Sequence, residues 1–509
     1  MDNKGPTTRS SSFPAICSRH WRIASTLLAT ILACIVLLTL LGHKPLTNWD
    51  EGIYAEISRE MLSLVFLVPH WNYQPWFEKP PLMLWVTAAF FKLFGTHDFW
   101  ARAGSAFSGV AIVALLHGWL IRRKDTLAAW LSTLILLSTF GFLHVCRVGE
   151  MDVLLSLGCS IALCGLTAIQ NYKLSGWYLF WAGVAIALMT KGAACIVLLF
   201  TTLLFAAIER WNLTRLAKSF WLGMVLFLLA ALPWHVYMFH VFGASFFTEY
   251  FGFHVLARAT HQIEDHITHW WYYFWVLLVS AAPFILLSPF AIVDSFRRKE
   301  LRAWSIFALV VVGFFTVVQT RLPHYIAPAY PALAVVTSVF LADQLRELQR
   351  RSRKSSASFW TTAAILIIAI CIGSAFLTSS PRRKLHQATV GPDIVSAEKE
   401  SIQLLREVFS NPPPISGPLL VWWEGDKRSI ATSVYYSERP VQQVQLAPLA
   451  GGIPIDKYLF QPETLEEAVS SGPRIILLDK YLVRQIPSNF SYTQILAGHS
   501  MEVGILARQ

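Results

Sequence analysis

The sequence predicts a polytopic α-helical membrane protein with a small α/β domain at its C-terminal end. Three observations lead there. Of 509 residues, 55% are hydrophobic and only 14% charged, and 20 are tryptophan, which is not the composition of soluble domains. Apolar stretches of spanning length recur between residues 23 and 378. After about residue 381 the pattern changes to short amphipathic and β-rich runs separated by Pro and Gly.

The same numbers exclude several classes. Disordered, coiled-coil, collagen-like and disulfide-stapled chains each need a bias that is absent, and mean hydropathy is +0.48. The cysteines (Cys17, Cys34, Cys146, Cys159, Cys164, Cys195 and Cys371) form no CxxC pair, so neither a disulfide framework nor a cysteine metal site is expected. The net charge of +11 resides mostly in short Lys/Arg clusters beside apolar segments. With no Arg-rich tail, zinc-finger spacing or aromatic-interleaved basic patch, nucleic acid is not an expected partner, and membrane topology explains the surplus.

Taken in order, the expected spans are 23–42, 99–121, 126–145, 153–170, 176–192, 193–208, 220–241, 270–293, 303–320, 323–342 and 359–378, eleven in all. The first has no small-residue cleavage site after it and reads as an uncleaved anchor. Residues 82–95 are too short to span and suit a helix lying in the interface. With that assignment, the clusters Lys4/Arg9/Arg19/Arg22, Arg122/Arg123/Lys124, Lys173, Arg210/Arg215/Lys218, Arg297/Arg298/Lys299/Arg302 and Arg346/Arg350/Arg351/Arg353/Lys354 all fall on one side. The positive-inside rule makes that side cytoplasmic. Residues 1–22 are then a cytoplasmic segment, 23–380 a transmembrane domain with a large first outer loop at 43–98, and 381–509 a periplasmic domain. In this last domain SAEKESIQLLREVF and ETLEEAV read as helices, and PLLVWW, SVYYS and RIILLD as strands.

The outer loops hold charges that topology does not ask for. Asp50 and Glu51 follow the first span, and Glu78 and Lys79 precede Pro80, where apolar sequence resumes. A bland reading has Asp50 capping a helix that starts near Gly52. Further on come Arg147, Glu150 and Asp152, then Lys191, then a loop with Arg258, His261, Glu264, Asp265, His266 and His269, and finally Arg321 and His324. Acids and bases beside hydrocarbon are costly unless they function, and this set lies at one face. Lysine and arginine near lipid neutralise phosphate, while carboxylates ligate a divalent metal or accept a proton from a hydroxyl. The spacing of His261, His266 and His269 fits no zinc box, which leaves Glu78 as the better metal-ligand candidate. No nucleotide-binding motif is present, so no nucleotide cofactor is expected and an activated lipid must supply the energy.

The strings NWDEGIYAEISREML, WFEKPPLMLWVTAAFFKLFG, WARAGSAF, EMDVLLSLG, LMTKGAA, LPWHVYMFHVFGASFF, HITHWWYY and RLPHYIAPAYPALA together resemble the GT-C membrane glycosyltransferases. Within that class they resemble the 4-amino-4-deoxy-L-arabinose lipid A transferases and the dolichyl-phosphate-mannose protein mannosyltransferases, over about residues 30–340. The resemblance implies transfer of a sugar from a polyprenyl-phosphate donor to a lipid or protein acceptor at the outer face of the inner membrane. It implies catalytic roles for Asp50 and Asp152. Glu51, Lys79, Lys191, Arg258, His266, Arg321 and His324 become substrate-binding residues, with Glu78 at a divalent metal in some members. Gly252 and His254 depart from the pattern of the relatives before Arg258.

Two other classes compete. A transporter or flippase of a lipid-linked sugar would share the spans and the basic residues, but would be expected to show internal repeats and midplane charges, which are not evident. A structural subunit would not need Asp50, Glu78, Lys79 and Asp152 together.

Overall fold

The computed structural model describes residues 19–47, 50–123, 125–212, 215–257, 269–352, 355–390, 392–422, 430–445 and 463–509. After α1 (Arg19–Leu38), the first loop folds into α2 (Asp50–Ser63), a short hairpin of β1 (His70–Trp71) and β2 (Gln74–Pro75), and α3 (Leu82–Phe94). At 13 residues α3 is apolar but too short to cross, as the interfacial reading requires. The bundle continues through α4 (Asp98–Arg122), α5 (Thr126–Ser138), α6 (Phe140–Arg147), α7 (Asp152–Gln170), α8 (Gly176–Lys191), α9 (Ile196–Ile208) and α10 (Lys218–Phe247). It closes with α11 (Tyr272–Ala281), α12 (Ser288–Ser295), α13 (Lys299–Val317), α14 (Ala329–Arg351) and α15 (Ser356–Val390).

Among the described residues, seven helices are long and apolar enough to span, or nine if the bent pairs α5/α6 and α11/α12 each count once. That is fewer than eleven, and the difference lies in two places. Residues 176–208 are a single apolar stretch by composition, yet its two ends meet at one end of the bundle. Trp177 Nε1 donates to the Arg215 carbonyl at 2.8 Å, and Gln170 Nε2 donates to Glu209 at 2.5 Å. The chain therefore reverses after Lys191, at Gly192, whose φ of +56° suits glycine. The other case is α14, whose mean hydropathy is lowered by a charged C-terminal half, while its first half is buried.

Charge sorts along the bundle axis. At one end Arg298 pairs with Asp343 at 2.7 Å, Arg302 with Glu209 at 2.6 Å, and Arg346 with Asp125. The candidate site residues that are described lie at the other end.

Helices α7 and α8 approach most closely where side chains are missing. A Cβ on Gly183 would lie 2.3 Å from the Gly158 carbonyl oxygen, and one on Gly176 would lie 2.5 Å from that of Gly165. In hydrocarbon, helices gain little from burying apolar surface against each other, so close backbone packing holds such a pair. The two contacts fix an antiparallel register in which Asp152, at the start of α7, comes opposite Lys191, at the end of α8.

The C-terminal domain contains α16 (Pro392–Ser410), β3 (Leu419–Trp422), α17 (Ile430–Ser437), β4 (Val441–Gln445), β5 (Glu463–Thr464), α18 (Leu465–Ala468), β6 (Arg474–Asp479), β7 (Phe490–Ala497) and β8 (Met501–Arg508). Its six-stranded sheet has the order β5-β4-β3-β6-β8-β7, parallel through β6 and antiparallel beyond. Leu419–Trp422 of PLLVWW and all of RIILLD form strands as expected, but SVYYS is helical in α17. Thr432, Ser433, Val434, Tyr435 and Ser437 are all buried, because α17 is wedged between α2 and α16, and this packing overrides β propensity. Helix α15 continues to Val390, so the expected boundary at 380 falls inside it.

This domain docks on the first loop. The Asn72 side chain exchanges two hydrogen bonds with the Val441 backbone, 3.0 and 2.9 Å. Arg406 pairs with Asp98, and Tyr436 bonds both Asp98 and the Leu46 N–H. Beneath them Ile57, Met61, Trp71 and Met83 share an apolar cluster with Leu405, Val434 and Val503. On the same helix Glu56 and Glu60 are fully buried, Glu56 held by Arg59 and Glu60 accepting from the Tyr73 N–H at 2.9 Å. Burial, with Glu56 beside it, pushes the Glu60 carboxyl up to about 10.

Two predictions follow from this packing. Gly183→Ala should force α7 and α8 apart and cost about 1–3 kcal/mol, read as a lower thermal midpoint in detergent. Gly313→Ala, with nothing within 4 Å, should leave the midpoint unchanged. Native Glu60 keeps a proton that an unfolded carboxyl releases near its ordinary value of about 4.3, so folding stability should fall as pH rises from there toward about 10. Glu60→Gln should flatten that slope between about pH 6 and 9; an unchanged slope would remove Glu60 as its source.

Candidate functional site

The site is assembled by chain ends that the bundle brings to one level: the start of α2, the segment before α3, the turn between α6 and α7, the reversal after α8, and the turn before α14. Asp152 Oδ1 lies 2.7 Å from Lys191 Nζ, both side chains being largely buried. The Lys191 ammonium also sits 4.8 Å over the Tyr325 ring. Lys79 Nζ is 4.0 Å from Glu78 Oε2, and Glu78 Oε1 accepts from Trp76 Nε1 at 3.1 Å.

These four residues line a cavity of about 220 Å³. Its other walls are apolar or aromatic, from Ile196, Tyr250, Phe314, Phe315 and Val318. The Tyr250 hydroxyl occupies the space a Cβ on Gly192 would need, 2.5 Å away, so the turn after Lys191 must be glycine.

Beside the cavity is a cluster of acids. Burial pushes the Tyr54 phenol well up, and Asp50, Glu78, Asp152 and Glu150 add to the effect, which places all four carboxylates around it. Asp50 is the first residue of α2, so the helix starts two residues earlier than the capping reading supposed. Burial also holds the Glu150 carboxyl well above the usual carboxylate range, reinforced by Asp152 and Asp50 and opposed by Lys191. Glu150 Oε2 is shut off from solvent without a hydrogen-bond partner, and His324 Nδ1 lies 3.9 Å from it. His324 in turn is within electrostatic reach of Asp50, Lys79, Asp152 and Lys191.

Some candidates are placed elsewhere. Glu51, expected to bind substrate, instead makes a two-pronged ion pair with Arg102 at 2.6 and 2.9 Å, and also accepts from Thr47 and the Gly149 N–H. Arg102 further ties down the carbonyls of Leu41, Lys44 and Pro45. Glu51 is thus an anchor of the first loop, and Arg102 is the functional partner that the sequence reading missed. An arginine one turn inside an apolar helix was the available signal. Arg321 donates to the Thr316 carbonyl at 2.8 and 3.1 Å, folded back on the end of α13. Arg258 and His266 lie outside the described residues, as do His261, Glu264 and Asp265.

The donor set tests the metal expectation. Among the described residues no group of three or more His, Cys, Asp or Glu side chains could hold a metal ion, and Glu78 faces an ammonium and an indole N–H. Among the described residues Glu78 therefore has no ligand set around it that would hold a divalent ion.

Residues 78–237 match the dolichyl-phosphate-mannose-protein mannosyltransferase family. Curated relatives include the undecaprenyl phosphate-alpha-4-amino-4-deoxy-L-arabinose arabinosyl transferase of Erwinia tasmaniensis, 27% identical over 68% of this chain and 65% of that protein. The enzyme of the same name from Pectobacterium carotovorum is 28% identical over 69% and 66%. The matched stretch thus spans just under two thirds of these relatives' own length. Among solved structures, ArnT from Cupriavidus metallidurans bound to undecaprenyl phosphate superposes with a TM-score of 0.72 at 19% identity, covering 95% of this chain and 98% of that one. The Archaeoglobus fulgidus oligosaccharyltransferase reaches 0.53 at 10% identity, over 91% and 70%. The chain therefore has the GT-C fold that the resemblance implied, in a multi-pass membrane protein.

Proposed function

We propose that this chain is a glycosyltransferase that moves a sugar from a polyprenyl-phosphate donor to a lipid acceptor of the lipid A type. The observation that carries the reading is the cavity itself. Lys79 and Lys191, each beside a carboxylate, Glu78 and Asp152, stand at its polar side and most of the remaining wall is aromatic or aliphatic, which suits a phosphate attached to a long hydrocarbon. The relatives' names support the same donor, and the pentose they name supports pentosyl transfer. A protein acceptor, as in the mannosyltransferase family matched by residues 78–237, is the second reading.

The reaction needs two things. Negative charge grows on the departing polyprenyl phosphate as the sugar–phosphate bond breaks, and Lys79 and Lys191 stabilise it in a partly dehydrated site. Asp152 holds the Lys191 ammonium in place until the phosphate arrives. A hydroxyl acceptor must also lose a proton, and Asp50, in the first turn of α2, is the side chain placed to take it. If the nucleophile is already an anionic phosphate, Asp50 orients it instead. The positive-inside rule supports a periplasmic site and C-terminal domain with the N-terminus in the cytoplasm.

The test is transfer of labelled sugar from polyprenyl-phosphate donors by the purified protein in detergent. Asp50→Asn should lower kcat by about 10²–10⁴-fold with a hydroxyl acceptor. Lys79→Ala should weaken donor use, and EDTA should leave the rate unchanged. No transfer from any donor, with lipid-linked sugar moved across proteoliposomes, would establish the transporter instead.

A further inference from the structure

Two acids of the cavity wall each face a cation of the protein, Glu78 facing Lys79 and Asp152 facing Lys191, and Glu51, the anchor of the first loop, faces Arg102. Glu150 faces a histidine across a gap of 3.9 Å, too long for a hydrogen bond, and its Oε2 is buried and unbonded. A buried polar atom left without a partner costs free energy that native structures seldom leave uncompensated, so the gap calls for an occupant. The backbone of Glu150 is fixed by Ser105, whose hydroxyl donates to its carbonyl at 2.7 Å, so the side chain is aimed by a rigid turn.

The surroundings specify what the occupant is. Asp50, Glu51, Asp152, Lys191 and His324 face Glu150 from α2, α7, α8 and the turn before α14. With Asp50 and Asp152 so close, an ionised Glu150 would be a further uncompensated charge, and the neutral acid is the form that fits. An acid O–H and an imidazole on two sides of a gap, with Lys191 and Lys79 within reach, make a receptor for a phosphate oxygen.

We propose that Glu150 is a further catalytic residue, a neutral acid whose Oε2–H donates to a phosphate oxygen lodged between it and His324 and yields its proton to that phosphate as the sugar departs. This rests on the transferase reading above. The electron pair of the C1–oxygen bond goes to the phosphate, the acceptor oxygen bonds C1, and the acceptor's proton goes to Asp50. Glu150 is left as a carboxylate and recovers its proton from Asp50 before the next turnover.

Glu150→Gln keeps a donor for the phosphate but has no proton to give. It should lower kcat by about 10²-fold while leaving the donor KM within about twofold, and the alkaline fall in rate expected of the wild-type protein should be absent from it. A merely structural role would not move that limb of the pH profile. Independently of turnover, the infrared difference between wild type and Glu150→Gln at neutral pH should contain a protonated-carboxyl stretch that shifts when undecaprenyl phosphate is added. Absence of that band, a band blind to undecaprenyl phosphate, or a wild-type kcat in Glu150→Gln would overturn the proposal. If the wild-type protein transfers from no polyprenyl donor, the transferase reading fails, and the infrared arm alone decides whether Glu150 presents a proton to phosphate.

Discussion

The contact of α7 with α8 through glycine is the constraint on which the site depends. Gly158 opposes Gly183 and Gly165 opposes Gly176, seven residues apart on both helices, with each backbone where the other's side chains would be. Such a contact has almost no tolerance along the axis, because a shift of one residue would bring a side chain against a carbonyl. The same register, carried about two turns further, sets Lys191 beside Asp152 and turns the chain back at Gly192. An ammonium and a carboxylate are thereby delivered to the membrane boundary by packing far below them.

What the helix pair does from one side, the first loop and the C-terminal domain do from the other. Arg102 ties Glu51 and three carbonyls together, so the start of α2 is held at a spot that Asp50 shares. The opposite face of α2 is covered by α17 and the sheet, and Asn72 adopts a left-handed backbone at the hairpin tip from which its amide reads Val441. Removing one member of a buried pair such as Arg102–Glu51 strands the other, at a cost of about 3–5 kcal/mol. The acids at the cavity are therefore held from all sides in a region where water screens little.

Much of this was legible in the amino-acid order. Spans announce themselves by hydropathy, and the gathering of basic clusters at one end and site residues at the other could be read from loop charges alone. Adjacent acids were harder. Asp50 and Glu51 are indistinguishable as neighbours in sequence, and only the position of Arg102, fifty-one residues away, turns one inward and leaves the other at the site. Glu150 was overshadowed by Asp152 because nothing local says which acid lacks a counter-ion. SVYYS has the residues of a strand, and its burial on every side is a fact about α2 and α16, not about its own pattern. The seven-residue glycine spacing in α7 and α8 was visible, but its meaning required knowing that the two helices touch.

The apolar wall of the cavity has a kinetic consequence. Ile196, Phe314, Phe315 and Val318 belong to helices of the bundle or to their outer ends, so a ligand with a hydrocarbon tail can arrive sideways from the bilayer without passing through water. Its encounter with Lys79 and Lys191 is then a search in two dimensions. Saturation should follow the mole fraction of that lipid in the membrane, and diluting the vesicles at fixed composition should leave occupancy unchanged.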